Sequence, residues 1–168
     1  MRLRATILCP LGVILAAGCG STKTVTRTVT TSAKLSVGPP REVVVYGFIR
    51  SLKQKGASYD LRFDPALLLS GKTANQAALE DTGSSDVPND NYTVNESKRT
   101  YLYLVPSTAS VRVLTSGSNL NGTPITVAQL AQLVAGKKPV KLFEPLDSGI
   151  WMRYANDKVE SLDQQYHP

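Results

Sequence analysis

REVVVYGFIRSLKQKGASYDLRFD, residues 41–64, holds two β-type runs and the turn between them. Val43 to Ile49 is β-branched or aromatic throughout except at Gly47, which marks a bulge or bend in a strand. Tyr59, Leu61 and Phe63 then alternate with Asp60, Arg62 and Asp64, the period of a strand buried on one face. The link Lys55-Gly56-Ala57 is short, so the two runs form a hairpin.

Downstream, strands continue with helices set between them. Asp64-Pro65 supplies a helix cap and a proline at the first helical position, which predicts a short helical turn over Ala66 to Leu69, closed by Gly71. Thr73-x-x-Gln76 is a capping box that opens a helix running through Ala74, Ala77, Ala78 and Leu79 to Gly83. Thr82 to Asn91 is a polar loop and Tyr92 to Val94 a short strand. Tyr101 to Val105 and Ala109 to Thr115 are two more strands around Pro106-Ser107, and Asn119 to Thr123 is a loop. Thr126-x-x-Gln129 is a second capping box. Ile125 and Leu130 stand in its hydrophobic-staple positions, and Val127, Leu130, Ala131 and Val134 form one apolar stripe. Gly136 and Pro139 end that helix. Val140 to Phe143, Ile150 to Tyr154 and Val159 to Leu162 complete the strands, the last two joined by an Ala155–Lys158 turn. This order implies an α+β domain. Its expected frame is a curved antiparallel sheet or a partly closed small barrel, OB-like by analogy, with two or three short helices. The analogy concerns fold alone.

The chain before this domain has a different character. Met1 to Arg4 is a short basic start and Ala5 to Ala17 a mostly apolar run interrupted by Pro10, too short to span a bilayer. It has the n-region and h-region of a secretory signal. The sequence Leu15-Ala-Ala-Gly18-Cys19 follows, and its small residues before a cysteine resemble the lipobox of bacterial lipoproteins. Ala16 stands where the commonest form of that motif has a leucine. The resemblance implies cleavage between Gly18 and Cys19, a thioether-linked lipid on Cys19 and acylation, commonly palmitate, of its new α-amine. Cys9, behind Leu8 and inside the apolar run, does not fit that role. Residues 1–18 are thus expected to be a signal peptide and 19–40 a lipidated cysteine with a Thr/Ser-rich tether. Residues 41–168 are then the single folded domain. The tether would reach about 70 Å fully extended or about 25 Å as a coil. Membrane lipid is the expected partner at Cys19, on the outer face of the cytoplasmic membrane, with an envelope protein or wall polymer as a further partner.

Charge excludes one class of function. The chain has 19 Lys+Arg against 13 Asp+Glu, a net charge of +6. Five of the cations precede residue 41 and none of the acids do, so the domain carries 14 against 13. A nucleic-acid binder concentrates its positive charge on the folded part, and this chain does not, so no nucleic acid is expected.

Catalytic and metal chemistry have little material. The single His167 adjoins the C-terminus, where chains fray. The carboxylates, among them Asp60, Asp64, Glu144 and Asp147, are scattered. Asp86 to Asn91 resembles a calcium loop but lacks the sixth-position glycine and has Ser97 at the twelfth position, so it reads as a turn. No catalytic residue, metal ligand or cofactor is assigned. Three Asn-x-Ser/Thr sequons, at Asn91, Asn95 and Asn121, mark surface loops. Lys137, Lys138 and Lys141 follow the second helix and suit its C-terminal dipole. Tyr101 and Tyr103 share one sheet face, and Ile150, Met152 and Tyr154 oppose Trp151 and Arg153. Such aromatics form either core or a sugar or peptide platform. The function expected is a membrane-anchored accessory or binding module without catalysis. A small hydrolase using carboxylates and a structural assembly subunit are the alternatives.

Overall fold

The computed structural model describes residues 41–167. The leader, the Gly18–Cys19 junction and the tether lie outside the described residues. Eight strands and two helices follow in order: β1 Val43–Lys55, β2 Ser58–Ser70, α1 Gly71–Thr82, β3 Asn91–Val94, β4 Tyr101–Pro106, β5 Ser110–Val113, β6 Thr123–Ile125, α2 Val127–Val134, β7 Ile150–Ala155 and β8 Lys158–Gln164. Among the described residues, no helix is long and apolar enough to cross a membrane.

The strands form one mostly antiparallel sheet that curls into a partial ring. β1 pairs with β2 on one side and β7 on the other, β2 passes on to β4, and β7 to β8. Closure is slight: β4 meets β8 in parallel at Leu104–Lys158, reinforced by the Leu104 amide donating to the Asp157 carbonyl at 3.1 Å. Beyond that point β5 runs beside β8, again in parallel. The ring order β1-β2-β4-β8-β7, with α2 placed before β7, is the connectivity of an OB-type barrel. The α+β reading of the sequence holds.

Inward positions supply the core. Leu61, Phe63, Val105, Ile150, Met152 and Leu162 are fully buried in it. The second capping box forms as the sequence specifies: Thr126 Oγ1 accepts from the Gln129 amide at 3.1 Å, and Gln129 Oε1 accepts from the Thr126 amide at 2.9 Å. It fixes the start of α2 so that Val127 and Leu130 enter the core. The β1–β2 turn falls at Gly56, with φ +61°, and the β7–β8 turn at Asn156 and Asp157, both with positive φ.

Several local expectations give way to tertiary pairing. Asp64-Pro65 opens no helix, because β2 continues to Ser70 with Pro65 opposite Gly47 and Asp64 opposite Phe48. The Asp64 carboxylate goes to Arg50 instead of to helix amides. α1 starts at Gly71, not Thr73; Gln76 reaches forward one turn to Glu80 at 2.6 Å instead of back to a cap. Its end at Gly83, left-handed with φ +79°, is as read. The register shift of β1 falls between Ile49 and Ser51, and Gly47 serves close approach instead: a Cβ there would meet Phe63 Cε1 at 2.8 Å and Pro65 Cα at 2.9 Å. Residues 140–143 form no strand, since only the Phe143 amide finds a strand-like partner, the Leu114 carbonyl at 2.7 Å. β6 was not legible, being three residues long with Pro124 at its centre, a composition suited to a sheet edge.

Candidate functional site

The alternation along β1 puts Tyr46, Phe48 and Arg50 on the outer face of the ring and Val45 and Ile49 toward the core. On β7, Trp151 is the ladder partner of Tyr46. The result is a cross-strand aromatic strip: Tyr46 lies 5.3 Å from Trp151 and 6.0 Å, edge to face, from Phe48. Such contacts hold rings in place beyond what their buried area contributes. Trp151 Nε1 donates to Gln165 Oε1 at 2.6 Å, and the Tyr46 hydroxyl donates to the Ser148 carbonyl at 2.9 Å. Burial pushes the Tyr46 phenol above its ordinary ionisation range, partly offset by a hydrogen bond from Thr93.

Thr93 on β3 and the loop 143–148 flank this strip, and together they enclose an open cleft of about 660 Å³. Tyr46, Phe48 and Phe143 give it aromatic surface; Glu144, Asp147 and His167 give it polar groups. That is the profile of a small-ligand or segment-binding cleft. Gln164 sets the loop. Its side chain is buried, with Oε1 accepting from the Leu114 amide at 2.9 Å and Nε2 donating to the Glu144 and Pro145 carbonyls at 3.0 and 3.1 Å.

His167 is not a frayed end. Its backbone amide donates to the Glu144 carboxylate at 3.2 Å, and its Nδ1 lies 4.0 Å from Glu144 Oε2. Glu144 and Asp147, scattered in the sequence, therefore stand with the sole histidine at one cleft. Ser148 also lines it, but its hydroxyl is already bonded, donating to the Pro145 carbonyl at 2.9 Å and lying 3.3 Å from Gln164 Nε2. A hydroxyl so committed is not poised for proton transfer to the imidazole.

The platform suggested by Tyr101, Tyr103 and Tyr154 divides. Tyr103 is core, 4.8 Å from Tyr154 and 6.4 Å from Phe63, and burial drives its hydroxyl up to about 12. Tyr101 stays half exposed beneath the Arg99 guanidinium, 5.5 Å above its ring. The three tyrosines line a smaller recess of about 370 Å³ with Val45 and Pro65. The outer face of β2 and β4, where OB-type barrels commonly hold ligands, shows Asp60, Arg62, Leu102 and Leu104 and no aromatic ring.

The remaining candidates sort by partner. Arg50 binds Asp64 through Nε at 2.9 Å and through Nη2, and Lys55 binds Asp60 at 3.3 Å. Asn95, read as a surface sequon, turns its amide to Asp64 at 3.3 Å. Asp86 to Asn91 contains a short turn at Pro88–Asp90. Among the described residues no group of three or more His, Cys, Asp or Glu side chains is placed to hold a metal ion. Gly18 and Cys19 lie outside the described residues.

The aromatic strip was the feature that sequence reading missed. Its signal was the 46/48 alternation on β1, which pairs with Trp151 only once β1 and β7 are known to be neighbours. No family model, no curated protein and no solved structure matches this chain.

Proposed function

We propose that the chain is a lipid-anchored bacterial envelope protein, held through Cys19 on the outer face of the cytoplasmic membrane, whose domain is a non-catalytic binding module. The anchor rests on the small residues Ala16, Ala17 and Gly18 before Cys19 at the end of an apolar leader. The binding role rests on one observation: an open cleft is backed by buried Tyr46, whose hydroxyl is fixed on the Ser148 carbonyl, and Phe48 and Phe143 add ring surface beside the polar groups Glu144, Asp147 and His167. Its chemistry suits a wall polymer fragment or a peptide that lays an apolar or sugar face on Phe48 and Phe143 and brings an amino group to Glu144 and Asp147.

Two measurements test this. Intact mass of membrane-extracted protein should show a chain starting at Cys19 and carrying a diacylglyceryl group, absent in Cys19→Ala; an unlipidated chain in the medium refutes the anchor. Thermal-shift titration with wall fragments and envelope peptides should give a saturable ligand whose effect Phe48→Ala removes. A ligand unaffected by that change places binding elsewhere. The meeting of Glu144, Asp147 and His167 supports a second reading, a small hydrolase. It requires turnover of such a fragment that Glu144→Gln abolishes.

A further inference from the structure

Residues 136–143, GKKPVKLF, hold the lysines read as solvated or facing the dipole of α2 and a run read as a strand; the strand does not form, and the three lysines stand in solvent just beyond the helix end. The last carbonyls of α2 are satisfied by backbone: the Gly136 amide donates to Leu133 and the Lys137 amide to Gln132, both at 2.9 Å. Lys137, Lys138 and Lys141 are exposed, and among the described residues none forms an ion pair. Between and beside them, Leu133, Val140, Leu142 and Leu146 line an open groove of about 450 Å³. Phe143 closes the run with half its surface in solvent (53%), its ring resting on Gly117, where a Cβ would meet it at 2.7 Å. Leu120, in the same flanking loop, is more exposed still.

We propose that this surface docks on an anionic phospholipid bilayer, with the three lysines at the phosphate level and Phe143 entering the headgroup–acyl boundary. Exposed, unpaired cations beside an exposed phenylalanine and a groove of half-buried apolar side chains are the elements of an interfacial contact. Two acidic groups stand beside the three lysines: Glu144, which lines the groove and accepts from the His167 amide, and Asp147, which lines the neighbouring cleft; they offset part of the positive charge and leave an excess of one. The setting rests on the lipid-anchored reading above. On that reading the lipid anchor keeps the domain at high effective concentration beside the bilayer, so a weak contact suffices to orient it. Because Phe143 and Glu144 also line the aromatic cleft, docking would bring that cleft against the membrane surface.

The test reads the lysines directly. The membrane-extracted protein is reconstituted in phosphatidylcholine vesicles, with or without about one third phosphatidylglycerol, and labelled briefly with an amine-acetylating reagent. Mass spectrometry then follows each lysine, with exposed Lys53 and Lys72 as references. Lys137, Lys138 and Lys141 should be protected severalfold only with phosphatidylglycerol, and protection should vanish near about 0.5 M salt. Each lysine contributes about fivefold in partitioning, so changing all three to Gln should weaken the preference for anionic vesicles about a hundredfold. Equal labelling on both vesicle types overturns the proposal, as does equal protection by a soluble polyanion without lipid. If the protein proves to carry no lipid, the anchor reading falls. The same labelling on the Cys19→Ala chain with vesicles in excess still decides this surface.

Discussion

Gly47→Ala probes the crossing on which both the barrel and its cleft depend. Gly47 pairs with Pro65 across β1 and β2 and lies between Tyr46 and Phe48, the two aromatics that β1 gives to the strip. A methyl group there would press closest on the Asp64 carbonyl oxygen, at 2.8 Å on Phe63 Cε1 and at 2.9 Å on Pro65 Cα. Two of these atoms are backbone in a paired strand, and Phe63 is fully buried, so no flexible side-chain end can give way. Overpacking of this kind costs about 1–3 kcal/mol, and parting the ladder adds about 1 kcal/mol for each hydrogen bond weakened. The expected loss is about 3 kcal/mol, which for a domain of this size lowers the melting temperature by about 12 °C. Gly56→Ala is the control: it has a left-handed φ of +61° but open space around it. Backbone strain alone costs about 1–2 kcal/mol there. Thermal and urea unfolding by circular dichroism would compare the two. If Gly47→Ala lost no more than Gly56→Ala, the close approach of β1 to β2 would not be what selects glycine at this position.

Other expected outcomes concern the groups around the cleft and the ring. Arg50→Ala strips the buried Asp64 carboxylate of its main partner and should cost about 1–2 kcal/mol in urea unfolding, because Arg50 itself is half exposed and water screens the pair. Lys55→Ala, at the exposed Asp60 pair, should cost under about 0.5 kcal/mol. Gln164→Ala leaves the Leu114 amide and two loop carbonyls without their partner and should destabilise by about 2 kcal/mol. The Leu114 amide should then exchange with solvent much faster; unchanged exchange would mean that Gln164 does not hold the loop. Tyr103, with its phenol raised to about 12, should ionise after the exposed tyrosines in an absorbance titration. A folded value above the unfolded one of about 10 adds stability that is full below pH 10 and lost as pH rises from there toward 12. Tyr103→Phe should remove that part of the alkaline decline.

Local chemistry explains which elements were readable. The β1–β2 hairpin, the capped α2 and the β7–β8 turn each carry their instructions within a few neighbouring residues, and each forms as read. Asp64-Pro65 shows where such reading stops. The pair is a sound helix opening in isolation, yet the bond of buried Asp64 to half-exposed Arg50, fourteen residues back, and the fit of Pro65 against Gly47 hold it in a strand. The cleft was less legible still. Tyr46 and Trp151 are more than a hundred residues apart, and His167 meets Glu144 only because β8 carries the C-terminus past the 143–148 loop.

By itself the sequence determined the strand-rich α+β class, the β1–β2 and β7–β8 turns and the cap of α2, and it carries an apolar N-terminal run whose end at Gly18-Cys19 resembles a lipobox. These are properties of hydrophobic period, turn residues and small local motifs, all written over short spans. The tertiary structure decided which faces remain open. Ring closure sends Tyr103, Ile150 and Met152 inward, while the pairing of β1 with β7 gathers Tyr46, Phe48 and Trp151 on its outer side as one strip, Tyr46 buried and the other two half-buried. Burial depends on which strands become neighbours, and only the closed ring establishes that.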